Sequence, residues 1–209
     1  MINHPDIEQY LSEMAPVSNP ILTEMEKLAA ERNLPIAGPL VGRLLVSLIK
    51  FGHVHTVLEC GSGFGYSTMW MALALSENAR ITCIDYSEAN IEEAKIHFEK
   101  AGFLHKVTFL QGDVGDIIPE LTETYDLIVN DVDKRQYPEF LPYYIERIRV
   151  GGMLVSNNIL VGGKVPLPAQ DAATAALQQF NQMLIKEPSL WNSFLPLRDG
   201  ISMSIKLKV

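Results

Sequence analysis

The run Glu59–Gly65 places an acid and three alternating glycines between a β-branched apolar stretch and a helical pattern. Its spacing is E-x-G-x-G-x-G, which differs from the G-x-G-x-x-G of dinucleotide-binding proteins, where the third glycine comes one residue later. It also lacks the Lys-Ser/Thr pair of a phosphate-binding P-loop. Glycines let the backbone turn tightly and let a ligand approach the main chain. The motif therefore predicts a ligand-binding turn between a strand and a helix.

Glu59 indicates which kind of ligand this turn suits. Its negative charge would repel a pyrophosphate, so the turn favours a cofactor that has no phosphate and carries a positive charge. S-adenosylmethionine, a nucleoside with a sulfonium group, fits that description. The alternative is an ordinary strand–turn–helix whose glycines serve packing alone.

Two acids follow the next two predicted strands. In an open α/β sheet, ligands bind beyond the carboxyl ends of the strands. Asp85 ends the second strand, where a carboxylate can accept both ribose hydroxyls of a nucleoside or can cap the next helix. Asp113 follows the third strand, where it can accept a hydrogen bond from an adenine amino group or can begin a helix as an acid near its dipole. The residues alone leave both alternatives open.

A second polar group follows the fourth and fifth strands. Of the two acids Asp131 and Asp133, one can face a pocket while the other caps the next helix. Lys134 is either a solvated surface lysine or a general base. Asn157 and Asn158 are either turn formers or donors of carbonyl oxygens to a hard cation such as Mg²⁺ or Ca²⁺.

Alternating strands and helices must position these residues. The predicted strands lie at residues 55–60, 80–85, 106–110, 125–131 and 153–156, and the helices between them at 65–76, 87–102, 114–121 and 137–149. The pair Gly151-Gly152 is expected to stop the last of these helices. Short and nearly continuously apolar strands are typical of a parallel sheet covered by helices on both faces.

The C-terminal part predicts a different arrangement. A helix at residues 169–186 is followed by a strand at 191–197, an Asp199-Gly200 turn and a strand at 201–209. Asp-Gly is a strong hairpin signal. The last strand alternates apolar and polar residues, which indicates a half-exposed strand. The predicted fold is therefore α/β, with a seven-stranded mixed sheet that is mostly parallel and has a C-terminal antiparallel hairpin.

Residues 1–35 are predicted to form an N-terminal helical extension, and residues 36–209 the main domain. Pro20 and Pro39 each suit the first turn of a helix. After Pro39 an apolar stripe at helical spacing is expected to pack on the sheet. The stripe consists of Leu40, Val41, Leu44, Leu45, Leu48 and Ile49.

The composition limits the classes of function. The chain has 209 residues, 47% of them hydrophobic and 20% charged, which describes a soluble globular protein. A net charge of −8 argues against general binding to nucleic acids or anionic membranes. No run of eighteen apolar residues and no signal-peptide pattern is found, and Cys60 and Cys83 are expected to be buried reduced thiols. We therefore expect a cytoplasmic protein, with a homodimer as the default assembly.

Together these residues resemble the small cation-dependent O-methyltransferases of the catechol and caffeoyl-coenzyme A type. The resemblance runs from about Ile36 to the end of the chain. It is strongest in the glycine turn, in Asp131–Lys134, in Val155–Gly163 and in Leu195–Gly200. It implies a Rossmann-like class I methyltransferase fold with helices on both faces of the sheet, and S-adenosylmethionine as the methyl donor.

The resemblance also implies roles for individual residues. Lys134 would be the base that takes the proton of the acceptor hydroxyl, and Asp131 would act beside it, between cofactor and metal. Asp131, Asn157 and Asn158 would ligate Mg²⁺ or Ca²⁺. The residues that would contact the cofactor are Val41, Glu59, Gly61, Ser62, Gly63, Ser67, Asp85, Tyr86, Asp113, Val114 and Asp131.

One departure from the family concerns this metal site. The family usually has Asp-Asn where this chain has Asn157-Asn158. The amide removes one negative charge, and hard divalent cations depend on carboxylate ligands, so weaker cation binding is expected.

The implied reaction is methyl transfer to a hydroxyl of a small aromatic acceptor, phenolic or catechol-like, with a divalent cation assisting. The alternatives are a metal-independent or nitrogen-directed methyltransferase of the same fold, and a non-catalytic S-adenosylmethionine-binding protein. The glycine spacing disfavours a nicotinamide-dependent oxidoreductase.

Overall fold

Seven strands form one sheet in the middle of the molecule. They are β1 (Thr56–Cys60), β2 (Arg80–Asp85), β3 (Val107–Gln111), β4 (Tyr125–Asn130), β5 (Ile148–Ser156), β6 (Leu190–Leu195) and β7 (Ile201–Lys206). Their order is β3-β2-β1-β4-β5-β7-β6, and β7 runs antiparallel to both of its neighbours while the other pairs are parallel. This confirms the predicted mixed sheet. The structure is a computed structural model that describes residues 4–208, so residues 1–3 of the predicted extension and residue 209 of the predicted last strand lie outside the described residues.

Helices cover both faces of this sheet. Those described are α1 (Pro5–Met14), α2 (Pro20–Arg32), α3 (Pro39–Gly52), α4 (Tyr66–Ala74), α5 (Glu88–Ala101), α6 (Val114–Ile117), α7 (Tyr137–Arg147) and α8 (Ala172–Lys186). Local sequence explains where several of them begin and end. Pro20 and Pro39 lie in first turns, Ser87 caps α5 by accepting a hydrogen bond from the Asn90 amide, and Gly102 ends α5 in the left-handed region.

Two hydrophobic clusters form the core, one on each face of the sheet. The first holds the apolar stripe of α3, with Val41, Leu45 and Ile49 buried against it, as the periodicity predicted. The second holds side chains of α7 and α8, including Tyr137 and Phe180. Burying each large apolar side chain contributes about 1.5–3 kcal/mol, so the two clusters hold the strand ends in place.

The prediction that Gly151-Gly152 stops a helix was wrong. Helix α7 ends at Arg147 and β5 begins at Ile148, so both glycines lie inside the strand. The pairing of β4 with β5 moves from Tyr125–Ile148 to Leu127–Met153, which leaves residues 149–152 opposite a single residue of β4. Gly151 has a φ of +78°, and this bulge needs glycine because it reverses the backbone locally.

The prediction of a half-exposed last strand was also wrong. Ser202 and Ser204 of β7 are fully buried, although they alternate with apolar residues. The reason is that helices cover this face, since Ser204 lies beside Leu154 of β5, which belongs to the cluster that includes side chains of α7 and α8. The Ser204 hydroxyl donates to Oδ1 of Asn192 on β6 at 2.5 Å, which satisfies one of these buried polar groups.

The two cysteines are buried and free, as predicted. Burial raises the pKa of the Cys60 thiol to about 12, so it stays protonated and unreactive. Along the stretch that the structure describes, every helix is too short or too polar to cross a membrane. The homodimer and the cytoplasmic location stay predictions.

Candidate active site

A cavity of about 690 Å³ opens at the carboxyl ends of β1, β2, β4 and β5. Open α/β sheets bind their ligands at this edge. The structure brings all but two of the predicted site residues to its wall. Those that line it are Gly61, Ser62, Gly63, Ser67, Asp85, Tyr86, Asp113, Val114, Asp131, Lys134, Asn157 and Asn158.

The glycine turn forms the floor of the cavity. The Gly61 amide donates to the Ile84 carbonyl at 2.8 Å, and the Gly63 amide donates to Oδ2 of Asp85 at 2.7 Å. Gly61 has a φ of +84°, and a Cβ there would lie 2.5 Å from the Asp131 carbonyl oxygen. Only glycine therefore lets β1 turn this close to the end of β4.

Asp85 joins this turn to the start of α5. Besides Gly63, it accepts hydrogen bonds at Oδ1 from the Ser87 amide at 2.9 Å and from the Asn90 side chain at 3.1 Å. The residue is 5% exposed, so its negative charge is fixed at the cavity wall. The cap of α5 is Ser87, which leaves Asp85 as an acceptor directed at the turn and the cavity.

Asp113 has a structural partner of its own. It caps α6 by accepting a hydrogen bond from the Gly115 amide at 2.7 Å, and it also lines the cavity. The position of Asp113 is therefore compatible with both alternatives, the start of a helix and a contact with an adenine amino group. One carboxylate oxygen caps the helix and the other remains for a ligand.

Glu59 lies beneath the glycine turn and does not line the cavity. Its carboxylate accepts hydrogen bonds from the hydroxyls of Ser67, at 2.5 Å, and Thr68. Complete burial raises its pKa to about 7. Glu59 thus holds the first turn of α4 from below, and Ser67 stands between it and the cavity. Val41 likewise does not reach the cavity, because it lies on the apolar face of α3 in the core.

Asp131, Lys134 and Asn157 form one hydrogen-bonded group at the other end of the cavity. The Lys134 ammonium donates to Oδ1 of Asp131 at 2.7 Å and to the Val132 carbonyl at 3.1 Å. The Asn157 amide nitrogen donates to Oδ2 of Asp131 at 3.0 Å. Both oxygens of this carboxylate therefore have donors. The group joins the end of β4 to the end of β5.

The neighbouring acid faces a different partner. Asp133 accepts hydrogen bonds from the amide of Arg135 at 2.9 Å and from its guanidinium at 2.5 Å. These contacts lower the pKa of Asp133 to about 2. This confirms that one acid of the pair caps the following helical turn while Asp131 faces the cavity.

The ligand set implied by the resemblance does not fit a hard divalent cation. Its single carboxylate, Asp131, is already shared between an ammonium and an amide nitrogen, and neither of those groups can ligate a metal. The Asn157 side-chain oxygen accepts from the backbone N–H of Asn158 at 3.0 Å, so the side-chain nitrogen and not the oxygen is the atom directed at Asp131. Among the described residues there is also no group of three or more His, Cys, Asp or Glu side chains that could hold a metal ion.

One wall of the cavity, beside the start of α3, was not assigned from the residues alone. Segment 34–37, ahead of α3, lines it together with Arg198 and Asp199. Nη1 of Arg198 donates to the Ala37 carbonyl at 2.8 Å, and its Nε lies 3.5 Å from the Glu8 carboxylate of α1. A Cβ at Gly38 would lie 1.7 Å from Nη1, so a glycine there makes room for the guanidinium. The turn prediction covered only Asp199 and Gly200, and Arg198 entered the sequence analysis only through the family resemblance of Leu195–Gly200.

Comparisons with known proteins agree with this geometry. A family model described as O-methyltransferase matches residues 12–207. A catechol O-methyltransferase of Niastella koreensis is 29% identical over 185 residues, covering 85% of this chain and 84% of the relative. The tapetum-specific methyltransferase 1 of Arabidopsis thaliana is 30% identical over 217 residues, covering 96% and 93%. The crystal structure of the O-methyltransferase TomG of Streptomyces achromogenes, in complex with SAM, matches with a TM-score of 0.89 at 25% identity and covers 97% of this chain and 96% of that one.

Proposed function

Since the chain belongs to the O-methyltransferase family, we propose that it transfers the methyl group of S-adenosylmethionine to a hydroxyl of a small aromatic acceptor, phenolic or catechol-like. The observation that carries this proposal is the charge of the cavity. Five aspartates line it against two cationic side chains, which suits a sulfonium cofactor and disfavours one with phosphates. The SAM complex of the structural relative supports the same cofactor.

The glycine end of the cavity is the proposed cofactor site. Asp85 would accept the ribose hydroxyls, because its carboxylate is held at the wall by three nitrogen donors. Asp113 would accept from the adenine amino group with the oxygen that does not cap α6. Close approach of the ligand to Gly61 and Gly63 is possible because neither has a side chain.

The Lys134 end is the proposed transfer site. The acceptor oxygen attacks the methyl carbon from the side opposite the sulfur, the C–S bond breaks, and its electron pair stays on sulfur to give S-adenosylhomocysteine. The acceptor hydroxyl proton passes to Lys134 in its neutral amine form, which has first released the proton of the resting ammonium to solvent, and Asp131 at 2.7 Å stabilises the ammonium that this transfer restores. Alignment of the two reactants supplies on the order of 7–11 kcal/mol, which makes it the main contribution of the protein. No step is assigned to a divalent cation, because the ligand set does not fit one.

The size of the cavity limits the acceptor. A volume of about 690 Å³ must hold the cofactor and the acceptor together, so the acceptor is small. The apolar side chains of Leu34, Pro35 and Ile36 in the wall suit an aromatic ring. The catechol O-methyltransferase among the relatives supports an aromatic hydroxyl as the methyl acceptor.

Calorimetric titration with S-adenosylhomocysteine tests the proposal. We expect binding to the wild type and none to Gly61→Ala, whose added Cβ would collide with the Asp131 carbonyl. Gly102→Ala is the matched control, since Gly102 also has a positive φ but lies at the end of α5 with open space around it. Absence of binding to the wild type at millimolar ligand would refute the proposed function. A panel of phenols and catechols, assayed for S-adenosylhomocysteine release, then identifies acceptors.

A further inference from the structure

We infer that the transfer site works without a divalent cation, because Lys134 and Asn157 occupy the Asp131 carboxylate that a cation would need. The inference rests on the proposed function and concerns its acceptor end. It also extends the substrate class to phenols with one hydroxyl, since a site without a chelating metal has no need of two adjacent hydroxyls. A hydroxyl on a single position of an aromatic ring is sufficient.

The orientation of the Asn157 amide is the first observation behind this inference. Its side-chain nitrogen donates to Oδ2 of Asp131 at 3.0 Å, and its side-chain oxygen accepts from the backbone N–H of Asn158 at 3.0 Å. A flipped amide would bring two oxygens together on one side and two N–H groups on the other, so both contacts would become repulsive. The hydrogen bonds thus fix the amide with its nitrogen toward Asp131, where a metal ligand would need an oxygen.

The backbone around Asn157 holds this arrangement in place. The backbone N–H of Asn157 donates to the backbone carbonyl of Asn130 at 3.0 Å. The buried Tyr137 hydroxyl donates to the backbone carbonyl of Asn157 at 2.9 Å. Asn157 is 7% exposed. Turning its side-chain oxygen toward a cation would therefore cost two side-chain hydrogen bonds in a buried position, each with a net value of about 0.5–1.5 kcal/mol.

The local charge is the second observation. Asp131 contributes one negative charge and the Lys134 ammonium contributes one positive charge at 2.7 Å, so the group is neutral as it stands. The ammonium also donates to the Val132 carbonyl and lies 5.3 Å from the centre of the Tyr137 ring. A divalent cation would have to displace this ammonium and would then face one carboxylate, whereas Mg²⁺ and Ca²⁺ sites depend on several oxygen ligands.

The hydrogen-bonding groups of the transfer site indicate which acceptors it can bind. Each oxygen of the Asp131 carboxylate already accepts from Lys134 or Asn157, so a neighbouring hydroxyl of the acceptor would find single hydrogen bonds there and no ion that chelates both of its oxygens. The Lys134 nitrogen has a third position that can turn to the acceptor oxygen, because two of its N–H groups are engaged, and in the neutral amine that position is the lone pair that takes the proton.

Titration of Mg²⁺ and Ca²⁺ into the wild type, Asn157→Asp and Gln136→Glu tests the inference directly. Asn157→Asp would place a second carboxylate beside Asp131, whereas Gln136→Glu adds the same charge elsewhere in the cavity wall. We expect no heat of cation binding with the wild type or with Gln136→Glu. Asn157→Asp should bind the cation with an affinity at least about tenfold above the weakest binding that the titration can detect. We also expect Ca²⁺ to raise the melting temperature of Asn157→Asp and to leave the melting temperatures of the wild type and Gln136→Glu unchanged.

Each outcome bears on a separate claim. Cation binding by the wild type, or turnover that chelator abolishes and Mg²⁺ restores, overturns the inference. A folded Asn157→Asp that gains no cation binding also overturns it, because the amide would then not be what excludes the metal. If Asn157→Asp does not fold, the wild-type titration still decides. If the wild type does not bind S-adenosylhomocysteine, the proposed function is refuted. The cation titration still shows whether the site binds a divalent cation.

Discussion

Asn157 donates its side-chain amide to the carboxylate of Asp131 at 3.0 Å, and this contact joins the ends of two adjacent parallel strands at the acceptor end of the cavity. In a cation site the same two positions would both present oxygens. Here one presents a donor, so the two side chains satisfy each other.

The first prediction concerns the acceptor. We expect a catechol and its monohydroxy analogue to have kcat/KM values within about tenfold of each other, because no cation holds two adjacent hydroxyls. S-adenosylhomocysteine release, measured with chelator present, gives both values. A preference for the catechol of more than about a hundredfold would contradict this, since it would require a second specific contact.

The second prediction concerns Lys134. Replacement Lys134→Met keeps most of the apolar stem and removes the ammonium, so kcat should fall by about a hundredfold or more while the affinity for S-adenosylhomocysteine stays unchanged. Lys164→Met, at an exposed lysine that pairs with Asp171, is the matched control and should keep full activity. Unchanged kcat in Lys134→Met would remove this lysine from the proposed step.

The sequence predicted the cavity better than the contacts within it. Strand-end acids such as Asp85 and Asp131 were placed correctly because parallel strands deliver their carboxyl ends to one edge of the sheet. Glu59 was assigned to the cofactor from its place in the motif. The structure puts it one layer deeper, because the hydroxyls of Ser67 and Thr68, on the helix that follows, reach back to it.

Long-range partners explain the remaining differences. Val41 falls on the apolar face of α3, and only the packing of that helix decides that this face meets the core and not the cavity. The buried serines of β7 could not be recognised, because alternation cannot show that helices will cover the polar face of the strand as well. The role of Arg198 depends on carbonyls more than 160 residues away, at Ile36 and Ala37.

The third prediction concerns Asp85. Replacement Asp85→Ala removes the acceptor of the Gly63 amide and the proposed ribose acceptor together. We expect the affinity for S-adenosylhomocysteine to fall by about 10- to 100-fold, as is usual when a charged hydrogen-bond partner is lost. Asp116→Asn, at an exposed acid on α6, controls for the loss of charge and should bind normally. Equal affinities for the two variants in calorimetry would exclude Asp85 from the site.

The fourth prediction concerns Arg198. This side chain ties the acceptor wall to α1 and to the turn before β7, so Arg198→Ala should raise the KM for the acceptor by about tenfold through loosening of segment 34–37. The affinity for S-adenosylhomocysteine should not change. Arg149→Ala, which removes an ion pair with Asp126 away from the cavity, is the control and should leave the KM unchanged. A change in cofactor affinity alone would contradict the proposed position of the acceptor.

The last prediction concerns the pH dependence of stability. Complete burial raises the pKa of Glu59 from 4.5 to about 7, so between these values the folded protein keeps a proton that the unfolded chain releases. Stability from this group is complete at low pH and is lost as the pH rises toward 7. The two pKa values correspond to a loss of about 3 kcal/mol in the free energy of unfolding.

Replacement Glu59→Gln should remove that slope, because an amide cannot ionise and can still accept a hydrogen bond from Ser67 or Thr68. Urea unfolding of the wild type and of Glu59→Gln at a series of pH values from about 5 to 8 measures the difference. Glu123→Gln, at an exposed glutamate, should follow the wild type. The free energy of unfolding of Glu59→Gln could instead fall with pH as steeply as that of the wild type. Another group would then have to bind the proton. Glu59 would be ionised in its buried position, stabilised by the two hydroxyls from which it accepts hydrogen bonds.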